Sequence, residues 1–253
     1  MGNAVITVAG KGGVGKTSIS AAIVRQLVRD HPGARILAID ADPAVGLATA
    51  LAVQVNETID DIRKAITASG EEDKSKKTAI ELLGESKFRI FDAMVEQDGF
   101  AFLAVGRPEA AGCYCSINSY LKAVISMVSD EFDYVVIDGE AGIEQVNRRV
   151  MERVTHLILV TDPSKKGTQV IQTIKKVADE LVMYQAIGVI VNRLNDPEVA
   201  RYVDTGGIPV LAEIPDDVNL ALCDVQGRSV MELPDDSNLV LGVQRALKAL
   251  GIA

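Results

Sequence analysis

The chain has 253 residues, 48% of them hydrophobic and 24% charged, with a formal net charge of −9. That length supports a large core without metals or disulfides and is read as one domain spanning 1–253. The acidic balance argues against a broad surface for nucleic acid or anionic membrane, no apolar run reaches a membrane helix, and three cysteines make no disulfide framework, so a cytoplasmic protein is expected.

The first predicted strand, near residues 3–9, carries Ala4-Val5-Ile6-Thr7-Val8 and runs into Gly10-Lys11-Gly12-Gly13-Val14-Gly15-Lys16-Thr17, followed by a helix near 16–30. This is a complete phosphate-binding loop between strand and helix. Gly12, Gly13, Val14 and Gly15 would turn main-chain N–H groups into one concavity together with Ser18, Lys16 would neutralise phosphate charge, and the Thr17 hydroxyl would hold Mg²⁺. The pattern leaves position 11 free, so Lys11 is a separate observation.

A second strand near 35–40 ends at Asp40-Ala41-Asp42-Pro43, and the mixed charge run Glu71–Lys77 reads as a solvated loop. A strand near 100–105 precedes Gly112-Cys113-Tyr114-Cys115 and a helix near 117–130. The next strand, near 133–138, leads into Asp138-Gly139-Glu140-Ala141-Gly142. Further strands near 156–161, 186–192 and 209–214 alternate with helices near 165–183 and 237–250. Continuously apolar runs such as Tyr134-Val135-Val136-Ile137 are expected of strands covered on both faces, which gives an α/β fold with a mostly parallel sheet of about seven or eight strands and helices on both sides. In such sheets ligands lie beyond the carboxyl ends of the strands, where both acidic clusters fall. Asp138 would then hold the water shell of Mg²⁺ or else cap a turn, Gly142 would meet the terminal phosphate, Asp42 would orient the attacking water, and Asp40 would assist Mg²⁺ indirectly or cap the segment that follows.

The lysine pair Lys11 and Lys16, the pair Asp40 and Asp42, and Asp138 followed by Gly142 together resemble the MinD/ParA/nitrogenase-iron-protein class of P-loop ATPases over nearly the whole chain. The resemblance implies the P-loop NTPase fold with a deviant Walker A motif, hydrolysis of ATP to ADP, and a nucleotide-sandwich homodimer in which Lys11 reaches the partner's phosphates. It also implies adenine contacts from Asn192 and Arg193 at one strand end and from Pro215 and Asp216 after the next.

Two thiols one residue apart, Cys113 and Cys115, supply half of a tetrahedral thiolate site for Zn²⁺ or Ni²⁺, and a symmetric dimer would supply the other half; the alternative is that both pack as small apolar side chains. The stretch Gly106-Arg107-Pro108-Glu109-Ala110-Ala111-Gly112-Cys113-Tyr114-Cys115 resembles CooC-type ATPases and their relative AcsF, maturation factors that assist nickel insertion into carbon monoxide dehydrogenase or acetyl-CoA synthase. It also resembles the cluster-binding segment of the nitrogenase iron protein, which needs a second cysteine where this chain has Gly139-Glu140-Ala141-Gly142-Ile143-Glu144. The resemblance therefore points to a metallochaperone whose partner is a client nickel enzyme, with no nucleic acid and no membrane. A MinD/ParA-like positioning ATPase and an iron-protein-like redox ATPase are the alternatives. Cys223, in a further predicted helix, is read as structural.

Overall fold

The computed structural model describes residues 3–42, 46–68, 79–106, 114–139, 154–181 and 184–252. Among them, β1 (Ala4–Gly10), β2 (Ile36–Asp40), β3 (Val95–Gln97), β4 (Phe100–Ala104), β5 (Tyr134–Asp138), β6 (His156–Thr161), β7 (Ala186–Asn192) and β8 (Val210–Ile214) form one sheet in the order β3-β4-β2-β5-β1-β6-β7-β8. Every pairing is parallel except that of β3 with β4. The helices are α1 (Lys16–Asp30), α2 (Gly46–Leu51), α3 (Ile59–Ala68), α4 (Ala79–Asp92), α5 (Tyr114–Ser129), α6 (Lys165–Leu181), α7 (Pro197–Ala200), α8 (Val218–Val225) and α9 (Asn238–Ala249).

Because successive side chains of a strand point to opposite faces, the central strands build two cores at once. Ile6, Val8, Ala38, Val136, Ile158 and Ile190 pack with residues of α1, α2 and α9 on one face. On the other face, Val5, Leu37, Ile39, Val135 and Ile137 meet α3 and α5, while Leu157, Leu159 and Val189 meet α6. The result is the three-layer arrangement expected of continuously apolar parallel strands. The C-terminal helix α9 spends Leu239, Val240, Val243, Ala246 and Leu247 on this core. No helix of the described residues is long and apolar enough to cross a membrane.

All seven predicted strands are present, displaced by a residue at some ends. Strand β3 was not expected, since Val95-Glu96-Gln97 is short and two-thirds polar; it is held by antiparallel pairing to β4 across a turn at Asp98-Gly99. Helices α2, α3, α4 and α7 were also not expected, α8 is the helix expected around Cys223, and α5 starts at Tyr114 rather than near 117, because Tyr114-Cys115-Ser116 carries no apolar periodicity. The charge run Glu71–Lys77 lies outside the described residues.

Candidate nucleotide site

Strands β2, β5 and β1 are neighbours, and their carboxyl ends bring together residues far apart in sequence. Asp138 aligns with Asp40 on one side and with Val8 on the other, so the two acids stand side by side on the face covered by α1 and α2. Both are fully buried. Helix α1 rises directly from the glycine-rich loop that follows β1. Its first turn contains no acidic residue and its N-terminus has no side-chain cap, which leaves main-chain N–H groups for an anion.

Gly15 precedes the helix at φ +93°, in the left-handed region, and a Cβ at this position would lie 2.5 Å from Asn192 Nδ2. Gly15→Ala is therefore expected to destabilise the protein by about 1–2 kcal/mol through the backbone alone, with a further cost from displacing Asn192. Chemical denaturation alongside ATP titration measures both effects, and a variant of unchanged stability and affinity would contradict this account.

The Asp138 carboxylate accepts a hydrogen bond from Ser20 Oγ at 2.9 Å, and Oδ2 is buried without a hydrogen-bond partner among the described residues. Burial raises its pKa and the nearby Asp42 adds to this, while the Thr17 and Ser20 hydroxyls and the Lys16 ammonium oppose the shift without cancelling it. A buried carboxylate with an orphaned oxygen beside a threonine hydroxyl is a donor set that fits a divalent cation. Lys16 is buried, with Nζ 3.4 Å from the Lys11 carbonyl oxygen.

Asp40 shows the capping role directly. Its Oδ1 accepts from the Asp42 N–H at 3.1 Å, and Oδ2 accepts from the N–H groups of Leu47 at 2.8 Å and Ala48 at 3.3 Å, which anchors α2. Burial, with the adjacent Asp138 charge, raises the Asp40 pKa from 3.8 to about 6 against these three N–H groups. The folded protein thus holds this proton more tightly than the unfolded chain. Stability is expected to fall as pH rises through the window from about 4 to 6, with the ionised carboxylate costing roughly 3 kcal/mol above it. A carboxyl carbon titration of the ligand-free protein by NMR should place the Asp40 midpoint near 6; a midpoint near 4 would refute the desolvation account.

Lys11 points sideways to β6. Its ammonium lies 2.9 Å from Asp162 Oδ2, with both side chains about a quarter exposed. Partial burial disfavours the Asp162 anion, but the Ser164 hydroxyl and Lys11 outweigh it and hold the carboxyl below its usual range. Neither Asp162 nor Ser20 was anticipated. Asp162 follows the apolar strand β6, so the carboxyl-end rule that selected Asp40 and Asp138 also reaches it; Ser20 has no sequence signal beyond its place on the buried face of α1.

A cavity of about 440 Å³ opens beside the loop, with Gly15, Ser18, Asn192, Arg193, Pro215 and Asp216 among its lining residues. Asn192 Nδ2 donates to the Val14 carbonyl oxygen at 2.8 Å, tying the end of β7 to the glycine-rich loop. The expected phosphate residues and the expected base residues therefore meet at Gly15. Gly142 and Cys113 lie outside the described residues, and Cys115 is described only as backbone in the first turn of α5. Among the described residues, no group of three or more His, Cys, Asp or Glu side chains is gathered to hold a metal.

Residues 5–230 match the family described as CobQ/CobB/MinD/ParA nucleotide binding domain. An uncharacterized ATP-binding protein, MJ0685 of Methanocaldococcus jannaschii, is 34% identical over 95% of both chains. The carbon monoxide dehydrogenase accessory protein CooC of Rhodospirillum rubrum is 30% identical over 90% of this chain and 89% of its own length. Among solved structures, a ParA family ATPase from Chlorobium tepidum superposes with a TM-score of 0.71 at 22% identity, over 97% of this chain and 98% of that one. MinD of Pyrococcus horikoshii complexed with Mg-ADP superposes at 0.68 and 21%, over 99% and 96%. The loop at Gly10–Thr17, the sheet that presents it and the match over residues 5–230 make this chain a member of the CobQ/CobB/MinD/ParA family of P-loop ATPases.

Proposed function

We propose that the protein is an ATP-hydrolysing maturation factor that closes as a homodimer over nucleotide and assists nickel insertion into an enzyme of the carbon monoxide dehydrogenase or acetyl-CoA synthase kind. The triphosphate lies along Gly12–Ser18, with its charge met by Lys16 and by the first turn of α1. Thr17 and, through the water shell, Asp138 would hold Mg²⁺, which when bound would supply charge to offset that of the phosphates. Asp42 accepts a hydrogen bond from the attacking water and aligns it, and Gly142 senses the terminal phosphate. The base occupies the cavity between Asn192, Arg193, Pro215 and Asp216. With Asn192 Nδ2 donating to Val14, its Oδ1 would serve the base as an acceptor, which would favour the amino-bearing edge of adenine. Lys11 leaves Asp162 when a second copy brings its own phosphates within reach.

The observation that carries the maturation role is the thiol pair. The chain leaving the carboxyl end of β4, the same end as the glycine-rich loop, runs through Cys113 into α5 with Cys115 in its first turn. The similarity to CooC along nine-tenths of the chain supports the same reading. Two copies would join four thiolates around one Zn²⁺ or Ni²⁺, so that nucleotide-driven closure alters the metal's surroundings. A membrane-positioning role has less support, since α9 directs its apolar residues into the core. Light scattering with a non-hydrolysable ATP analogue should show a doubled mass and bound metal near one per dimer. A monomer that binds nucleotide and metal independently would refute the coupling.

A further inference from the structure

The outer wall of the cavity is built from the loops leaving β7 and β8. Among the described residues, strand β8 is the last of the sheet and pairs with β7 alone. The loop after β8 is nonetheless tied down at several points. Asn195 Nδ2 donates to Asp216 Oδ2 at 2.6 Å, Asn195 Oδ1 accepts from the Asp216 N–H at 2.8 Å, and the Asp216 carbonyl oxygen accepts from Asn238 Nδ2 at 2.8 Å. The Leu194 N–H adds a bond to the Ile214 carbonyl oxygen at 3.0 Å. Arg193 takes a positive φ of 59°, a conformation uncommon for a side-chain-bearing residue, and this turn lets Asn195 come back toward β8. Both Asn195 and Asp216 are exposed, so these bonds compete with water and add little to overall stability. Their effect is local order at the mouth of the cavity.

We infer that Asn195 is a positioning residue for the nucleotide base: it holds Pro215 and Asp216 in their binding arrangement before the ligand arrives. This rests on the reading of the cavity as the base site of ATP. A wall fixed in advance does not have to be ordered on binding, so the clamp raises affinity for whatever packs against it. The effect is selective, because the phosphate loop is carried by β1 and α1 and makes no bond to Asn195. Asn195 also engages the main-chain N–H and one carboxylate oxygen of Asp216, so Asp216 contributes mainly as part of the wall. The base-dependent share of affinity should depend on Asn195, and the phosphate-dependent share should not.

The test compares calorimetric titrations of ATP and inorganic tripolyphosphate. Asn195→Ala is expected to weaken ATP about fivefold, to leave tripolyphosphate unchanged, and to speed hydrogen exchange at the amide of Asp216, whose N–H donates to Asn195. Asn238→Ala, which removes only the third tie, should move ATP affinity in the same direction by less. Equal losses for both ligands, or an ATP affinity that does not change, would overturn the assignment. A wild-type protein that binds ATP no better than tripolyphosphate would instead overturn the base-site reading on which it rests.

Discussion

Lys16→Ala is expected to weaken ATP binding by about 100-fold or more, whereas Lys11→Ala is expected to leave affinity within about threefold and to abolish nucleotide-dependent dimerisation and most hydrolysis. The difference follows from where the two ammonium groups lie. Lys16 is buried in the first turn of α1, next to the Lys11 carbonyl and close enough to Asp138 to oppose the upward shift of its pKa, which is where the proposed role would have it meet the phosphates bound by its own copy. Lys11 is turned against Asp162, the residue that follows β6. Asp162→Asn removes the charge that holds it there. Since partly exposed ion pairs contribute about 0.2–1 kcal/mol, that variant should dimerise at a nucleotide concentration roughly two- to fivefold lower. Equilibrium titrations and light scattering separate binding from closure. Equal loss of ATP affinity in the two lysine variants would contradict a role of Lys11 across the dimer.

Cys113→Ser and Cys115→Ser are each expected to reduce metal retained per dimer from about one to near zero, and to abolish activation of a nickel-free client enzyme, with ATP affinity unchanged. Serine is nearly isosteric with cysteine but does not ionise near neutral pH, and its oxygen is a poorer partner for a borderline-soft cation than thiolate sulfur. A four-thiolate site shared by two copies loses two donors with every single substitution, which explains the size of the expected effect. Metal analysis after gel filtration measures retention, and a reconstitution assay measures activation. Full metal content and full activation in both variants would sink the maturation reading. Visible absorption from an iron–sulfur cluster in anaerobically purified protein would favour the redox alternative.

Much of the fold was legible because each of its rules is local. Apolar runs such as Tyr134–Ile137 and Leu157–Val160 mark buried strands, the glycine-rich loop marks the start of α1, and a sheet of this class takes its ligand beyond the strand ends. What could not be read were elements whose only reason is tertiary. Strand β3 exists through pairing with β4, and α2 is only six residues long, with no apolar periodicity to mark it, although the capping by Asp40 that anchors it was one of the two roles read for that residue. Of the residues gathered around the glycine-rich loop, Lys16, Thr17 and Asp138 were singled out from spacing, while Ser20, Asp162 and Asn195 were not, because an ordinary serine, aspartate or asparagine acquires its partners only from what the fold sets beside it.

By itself, the sequence determined that this chain grips nucleotide phosphates: the loop's conformation, its donors and its lysine lie within eight consecutive residues between a strand and a helix, and the glycines specify the local backbone wherever the segment sits. Only the tertiary structure decided how that loop is surrounded. Parallel register aligns Asp40 with Asp138, so that burial and mutual repulsion push the Asp40 pKa up to about 6. Lys11 finds its counter-charge at Asp162 just beyond β6, and the wall of the cavity beside the loop is tied by a residue on one loop to a residue on the next. Such interactions depend on distances between strand ends. Those distances are set by the order in which the strands assemble, and no local pattern of residues encodes that order.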